Sequence, residues 1–160
     1  MNDWLSFYLA TAGAAAGLTG LIFVSLSISI SKILSEQELI DRAFISIMLM
    51  MNSLIISLLH LIPGQSMTVF GIEIIIAGFL SWMIVTWLDK KKLQSKRTQF
   101  RKIYITNLLF DQIALIPFIV AGISTLINCG CAEYWAAAGI LFSLIKAILD
   151  SWVLLVEINR

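Results

Sequence analysis

Apolar residues along the chain are collected into five long runs, and the polar residues between them occupy a few short gaps. The runs cover residues 7–30, 43–63, 66–88, 103–128 and 135–158. Each is long enough to cross a bilayer core, which takes about 20 residues in a helix. The runs show no strict alternation of apolar and polar residues, and an open sheet edge in lipid would leave backbone groups unpaired. The pattern predicts an all-α polytopic membrane protein, with five transmembrane helices in a single transmembrane domain over residues 1–160.

The composition agrees with a membrane protein and argues against a soluble enzyme. Of the 160 residues, 59% are apolar and only 13% are charged, which lies outside the range of soluble domains. The chain carries no motif of a nucleophilic, zinc-dependent or phosphate-binding enzyme, and His60 is its only histidine. A Cys/His zinc site is therefore not expected. We predict no enzymatic activity, no metal and no cofactor.

The basic residues predict the orientation of the spans. Seven of the eleven lysines and arginines fall in the gap 89–102, Lys32 and Arg42 fall in the first gap, and Arg160 ends the chain. With five spans, all of these residues lie on one side, and the positive-inside rule makes that side cytoplasmic. We therefore predict an N-terminus outside and a C-terminus inside.

The basic gap 89–102, with the sequence DKKKLQSKRTQFRK, has two interpretations. In the first it is the topology signal itself and attracts anionic lipid. In the second it binds a soluble polyanion, a nucleotide or a single-stranded nucleic acid, because Lys and Arg neutralise phosphates and an aromatic ring offers a stacking face. The candidate anionic-ligand residues are Lys90, Lys91, Lys92, Lys96, Arg97, Phe100, Arg101 and Lys102.

Polar residues in the second span fall on one helix face, at separations of 7, 4 and 3. They are Ser46, Ser53, Ser57 and His60. The hydroxyls either bond to carbonyls one turn back and pack between helices, or line a water-filled pore. Glu73 stands alone in the third span, where a carboxylate is protonated, paired, or part of a ring of acids around a symmetry axis.

The fourth and fifth spans carry ionisable residues that are costly inside a membrane. Lys146 and Asp150 are four residues apart on one helix face, and Asp111 is expected at a similar depth on the neighbouring helix. Such residues face the interior of a bundle and find partners there. This intramembrane charge cluster either staples the two helices together or forms part of an ion or proton path, since one lysine between two aspartates leaves a net negative site.

Small residues and cysteines add two further features. Gly13, Gly17 and Gly20 form a GxxxG-type face on the first span, which predicts close helix packing within one protomer or between protomers.

Cys129 and Cys131 lie in the outer gap, one residue apart, where a disulfide between them would close a strained ring. We expect two unpaired thiols, with pairing between subunits as the alternative.

Two stretches carry a resemblance to a family. Residues 12–28 (AGAAAGLTGLIFVSLSI) and residues 61–65 (LIPGQ) resemble small uncharacterised bacterial multi-span membrane proteins, some of them labelled modulators of a membrane AAA protease. The format of a short multi-span chain with a basic cytoplasmic face also resembles the membrane effectors of bacterial antiphage defence. These resemblances imply the bacterial inner membrane, and the second implies assembly into pores under the control of a nucleotide or oligonucleotide.

Three hypotheses of function follow. In the first, the protein is a homo-oligomeric channel, with a tetramer as the default, in which the face from Ser46 to His60 and Glu73 line the path and a polyanion at the basic loop controls it. The alternative is a non-conducting regulator that docks onto a larger membrane complex through the Gly13, Gly17 and Gly20 face. The third is a proton-coupled transporter centred on Asp111 and Asp150.

Overall fold

A computed structural model describes residues 3–28, 30–95 and 101–158, and the side chains within them except at 94–95, 101–103 and 157–158. All regular secondary structure in these residues is helical, as the sequence predicts. The helices are α1 Asp3–Ile28, α2 Ile30–Ser35, α3 Gln37–His60, α4 Met67–Ser95, α5 Arg101–Leu126 and α6 Ala132–Ile158. All except α2 are long and apolar enough to cross a membrane.

Charged residues in two of the predicted gaps lie on helices. The predicted gap 31–42 is mostly helical, because it holds part of α2 and the start of α3, separated by the extended backbone of Glu36 (φ −129°, ψ 115°). Helix α4 likewise continues to Ser95, beyond the predicted end of its span. Lys, Glu and Gln are good helix formers, so a drop in hydropathy ends the span without ending the helix. This correction places Arg42 and Asp89 on helices.

Helices α3, α4, α5 and α6 form an up-down-up-down bundle of four helices. Each packs on the next in chain order, and α6 closes the ring against α3. Helix α1 lies outside this ring, mainly against α3, and α2 contacts α3 and α1. We call the end with Lys90 and Lys91, where α3 and α5 begin, the basic end. The opposite end holds Cys129 and Cys131 in the turn before α6, and we call it the disulfide end.

Glycines bring α4, α5 and α6 into close contact. A Cβ added to Gly122 would lie 2.9 Å from the carbonyl oxygen of Gly71 and 2.5 Å from Cγ1 of Ile75, so α5 and α4 approach backbone to backbone. On α6, a Cβ added to Gly139 would lie 2.8 Å from the ring of Phe118. These contacts leave no room for larger side chains at the two positions.

The glycine face of α1 does not take part in this packing. Apart from the neighbouring residues and backbone of α1 itself, no described atom lies within 4 Å of a Cβ added to Gly13, Gly17 or Gly20. Helix α1 turns a different face to the bundle, and its buried residues are Tyr8, Thr11, Ala12, Ala15 and Ile22. For the residues that the structure describes, the prediction that the three glycines pack closely within one protomer is therefore wrong, and their packing against another protomer stays a prediction.

The turn between α5 and α6 corrects the prediction of two unpaired thiols. Cys129 and Cys131 are joined by a disulfide, with Cα atoms 5.3 Å apart, inside the range that such bonds require. Asn128 adopts a left-handed conformation (φ 53°), and the N–H of Cys129 donates to the carbonyl of Ser124 over 2.8 Å. The chain is thereby folded back so that the two sulfurs meet, which the spacing alone does not reveal.

Candidate functional site

An ion-paired cluster lies between α5 and α6, in the half of the bundle nearer the basic end. Nζ of Lys146 is 3.3 Å from Oδ1 of Asp111 on the neighbouring helix, and it donates to Oδ2 of Asp150, one turn further along its own helix. All three residues are buried, and Asp111 is only 1% exposed. The structure thus brings together the three residues that the sequence grouped as an intramembrane charge cluster.

The cluster lies in the wall of a polar cavity of about 20 Å³, which has room for one water molecule. All four ring helices contribute to its lining, which consists of Glu38, Arg42, Ile45, Asp89, Lys92, Tyr104, Asn107, Asp111, Lys146 and Asp150. The hydroxyl of Tyr104 donates to Oε1 of Glu38 over 2.8 Å, and Nζ of Lys92 is 3.6 Å from Oδ1 of Asp89. The predicted cluster is therefore one part of a larger charged site.

Carboxyl groups outnumber cations in the described lining of this cavity, by four to three. Oδ2 of Asp89 and Oδ1 of Asp111 accept no hydrogen bond from any described group, although the second oxygen is within ion-pair distance of Lys146. The carboxyl groups of Asp89 and Asp111 also lie close enough to interact with each other. Adjacent carboxylates repel each other, and a proton or a bound cation relieves that repulsion.

The serine stripe of α3 lies inside the protomer. Ser46, Ser53 and Ser57 are fully buried, and each hydroxyl donates to the carbonyl one turn back, over 3.1, 3.0 and 2.8 Å. Ser57 also shares a hydrogen bond of 3.0 Å with Thr11 of α1. Because Thr11 covers this part of the stripe, a path along the axis of an oligomer would not reach the hydroxyl of Ser57 in this arrangement.

A second polar cluster occupies the disulfide end and contains His60, the last member of the stripe. The ring of His60 stacks on that of Tyr8, with centroids 3.9 Å apart, and its Nδ1 is 3.9 Å from Oε1 of Glu133. Tyr8 is fully buried and its hydroxyl donates to Oε2 of Glu133 over 2.6 Å. Helices α1, α3 and α6 are tied together here. Glu73 on α4 is half-buried and accepts a hydrogen bond from the side chain of Gln65.

Polar groups along α3 form an interrupted column between the two clusters. From Arg42 to His60 the helix rises about 27 Å, close to the roughly 30 Å of a bilayer core. Midway, the hydroxyl of Ser81 on α4 donates to Oδ1 of Asn52 over 3.1 Å. The interruption is apolar, because Leu49 on the same face is fully buried among other side chains.

Part of the predicted basic ligand site lies within the described side chains. Lys90 and Lys91 are exposed on α4, and Nζ of Lys91 is 5.5 Å from the ring centroid of Trp87. Lys92 instead turns towards Asp89 in the cavity, so it does not extend an exposed basic surface. The others lie outside what the structure describes, namely Lys96, Arg97 and Phe100 as whole residues and Arg101 and Lys102 as side chains.

The sequence analysis did not predict that Glu38, Arg42, Asp89 and Tyr104 line this cavity, because residues near span ends were interpreted as topology signals, as interfacial aromatic rings or as part of the basic gap. A usable signal was present on α3, where Arg42 precedes Ser46 by four residues and Glu38 precedes Arg42 by four. That spacing extends the polar face of the helix into the first turn. The contributions of Asp89 and Tyr104 depend on how α4 and α5 pack, and no spacing within one helix could reveal them.

Comparison of the chain with protein-family models, with curated proteins and with solved structures finds no match in any of the three. The fold and the site define a class nevertheless. In the part of the chain that the structure describes, it is a helical protein with five helices of membrane-spanning length and a buried, ion-paired polar site between the helices of its ring.

Proposed function

We propose that the protein is a multi-pass protein of the bacterial inner membrane that moves a small cation, foremost the proton, through the interior of each protomer. In the proposed orientation the N-terminus is outside and the basic end faces the cytoplasm, as the positive-inside rule requires. We assign the path to the protomer interior because the polar groups able to carry an ion are packed between the ring helices and α1. In an oligomer, each protomer then contains its own path, and the subunits do not enclose a shared one.

The observation that carries this proposal is the surplus of carboxyl groups in the buried cavity. Four carboxyls and three cations line its described wall, and Asp111 and Asp89 each have an oxygen that accepts no hydrogen bond there. An unbalanced charge at membrane depth is costly. Binding one proton neutralises the surplus negative charge, and releasing the proton restores it. We therefore assign reversible proton binding to this cavity.

The interior column supplies a route from this site to the disulfide end. Hydroxyl and amide groups of α3 follow the cavity, and the His60, Tyr8 and Glu133 cluster ends the route. Polar side chains and intervening waters are the usual carriers of protons in membrane proteins. The apolar side chain of Leu49 interrupts the polar column and closes the route in this arrangement. Conduction therefore requires the helices to shift around Leu49.

Proton flux into proteoliposomes tests this function. A potassium diffusion potential drives protons inward, and a pH-sensitive dye inside the vesicles reports acidification. Wild-type protein is expected to give flux, and Asp111→Asn to lose it, because the amide keeps the shape and cannot take up a proton. Glu73→Gln is the matched control, since it makes the same change at a half-buried residue outside the cavity lining.

The outcomes separate the proposed function from the axial channel predicted from the sequence. Flux that survives Asp111→Asn and disappears in Glu73→Gln supports a path along an oligomer axis and contradicts the interior route. Wild-type vesicles that acidify no faster than empty ones contradict both.

A non-conducting regulator is the second candidate, and the open glycine face of α1 favours it. Gly13, Gly17 and Gly20 have no described atom near enough to fill their side-chain positions, and small residues allow a partner helix to approach closely in lipid. In this candidate wild-type vesicles show no proton flux, and Gly17→Leu abolishes the contact with the partner helix. Ala14→Leu is the control, because Ala14 is also exposed but lies on the adjoining face of α1. The mass of the protein in nanodiscs reports whether that partner is a second copy.

We propose an anionic ligand at the basic end as the control point, whether a nucleotide, an oligonucleotide or anionic lipid. The exposed pair Lys90 and Lys91 supports this. Replacing both by Gln should weaken the binding of a single-stranded oligonucleotide and lower its salt slope by about 0.7 for each phosphate that is no longer neutralised. Lys92→Gln is the internal comparison and should change binding less, because Lys92 is paired with Asp89. Equal effects would contradict this assignment.

A further inference from the structure

The Cys129–Cys131 disulfide is a chemical group that the proposed cation path does not use. Both cysteines are partly exposed in the turn between α5 and α6. The bond joins residues only two apart in sequence, so it closes a very short loop and removes little freedom from the unfolded chain. The turn has its own backbone hydrogen bonds, from Cys129 N–H to Ser124 and from Ala132 N–H to Cys129, over 2.8 and 3.2 Å. The disulfide is therefore a weak candidate for a structural staple.

Cys131 is the residue immediately before α6. Its carbonyl oxygen accepts the N–H of Trp135 over 3.3 Å, at the start of a helix of 27 residues. The first N–H groups of a helix lack partners within it, and the aligned peptide dipoles add partial positive charge there. Negative charge on a sulfur at this position is stabilised. The adjacent acid Glu133 is engaged with the hydroxyl of Tyr8 on α1.

We propose that the Cys129–Cys131 pair is a redox-active disulfide that exchanges with low-molecular-weight thiols. Its accessibility, its very short loop and its position at the start of a long helix together support this role over a structural one. Disulfides persist on the oxidising side of a membrane, which agrees with the outer location that the proposed orientation gives this turn. The activity does not depend on the cation path.

The exchange proceeds in two steps that balance. A thiolate attacks the sulfur of Cys129, the protein S–S bond breaks, a mixed disulfide forms on Cys129, and the electron pair leaves on the sulfur of Cys131. A second thiolate attacks the small-molecule sulfur of the mixed disulfide and displaces Cys129. Two thiols lose two electrons and become one disulfide. Their two protons pass to Cys129 and Cys131, and the pair is reduced.

Titration of the native full chain with glutathione tests the proposal. Purified protein in nanodiscs is equilibrated with mixtures of reduced and oxidised glutathione, quenched with acid, and labelled with a maleimide polymer that shifts each free thiol on a gel. We expect complete conversion from no label to two labels without denaturant, and complete return when oxidised glutathione is restored. A pair that stays unlabelled until the protein is denatured, or that stays doubly labelled in oxidised glutathione, overturns the proposal.

Two single variants test the assignment of Cys131 as the leaving group. Cys129→Ser leaves only Cys131, and Cys131→Ser leaves only Cys129, so each variant controls for loss of the bond in the other. After reduction, Cys131 is expected to react with iodoacetamide at neutral pH about twofold faster than Cys129, because the start of α6 favours its thiolate. Equal rates, or a faster Cys129, would overturn this assignment.

Discussion

Lys146 on α6 lies between two buried carboxylates, with its ammonium nitrogen 3.3 Å from Oδ1 of Asp111 on α5. Its second partner is Asp150 on its own helix. The ammonium group therefore links the two helices and offsets one of the two acids. In the proposed function, the carboxyl groups around this ammonium group form the site that takes up a proton.

Replacing Lys146 by Met should strongly destabilise the protein, because Asp111 and Asp150 would keep their burial and lose their shared cation. Removal of one partner from a buried ion pair costs about 3–5 kcal/mol. Unfolding in mixed detergent micelles measures the change. Lys90→Met, at an exposed lysine, should stay within about 0.5 kcal/mol of wild type. Equal stability of the Lys146 variant and the control would show that the pair contributes nothing to folding.

Gly122→Ala and Gly17→Ala make the same chemical change in opposite surroundings. The added methyl group on Gly122 would meet Ile75 and the backbone of Gly71 at distances no real Cβ accepts, so α4 and α5 must separate, at a cost of about 1–3 kcal/mol. At Gly17 the space is open among the described residues, and alanine favours the helix by about 0.5–1 kcal/mol. Thermal unfolding should therefore move in opposite directions. A stabilised Gly122→Ala protein would contradict the close packing of α4 on α5.

Tyr8→Phe removes one hydroxyl from the cluster at the disulfide end and keeps the ring that stacks on His60. The lost hydrogen bond to Glu133 is buried on the tyrosine side and has a carboxylate acceptor, so the expected destabilisation is about 1.5–3 kcal/mol. Tyr134→Phe is the control, because Tyr134 is 68% exposed. The free energy of unfolding of both variants checks the prediction. If Tyr8→Phe leaves that free energy unchanged, the hydroxyl of Tyr8 does not form the hydrogen bond to Glu133 in the purified protein.

The long apolar runs were sufficient to predict the five long helices, because hydropathy and length constrain what can cross a bilayer. The pairing of Lys146 with Asp150 could also be predicted, since residues four apart on a helix are neighbours. The positions of Asp89 and Tyr104 in the cavity could not be predicted from the sequence, because they depend on the rotation of α4 and α5 about their axes. Several packings satisfy the same pattern of apolar residues.

The glycines show a second reason why helix packing could not be predicted from the sequence. The GxxxG pattern on the first span is the recognisable one, yet its glycines lie on the open face of α1. The close approach uses Gly71 on α4 and Gly122 on α5, which belong to different helices and form no motif in the chain. Small residues permit contact, and the shapes of the facing side chains decide which of them are used.

The apolar step at Leu49 offers a gain-of-function test of the interior route. Leu49 is fully buried on the face of α3 that carries Ser46 and Ser53, so Leu49→Ser adds a hydroxyl where the polar column is interrupted. Proton flux in proteoliposomes should rise above that of wild type, because a polar lining lets water enter a constriction that an apolar lining keeps dry. Leu58→Ser makes the same change at a residue 50% exposed on the same helix, and should leave flux unchanged. If the Leu49 variant elutes as a folded protein and its flux does not rise, protons do not pass along this face of α3.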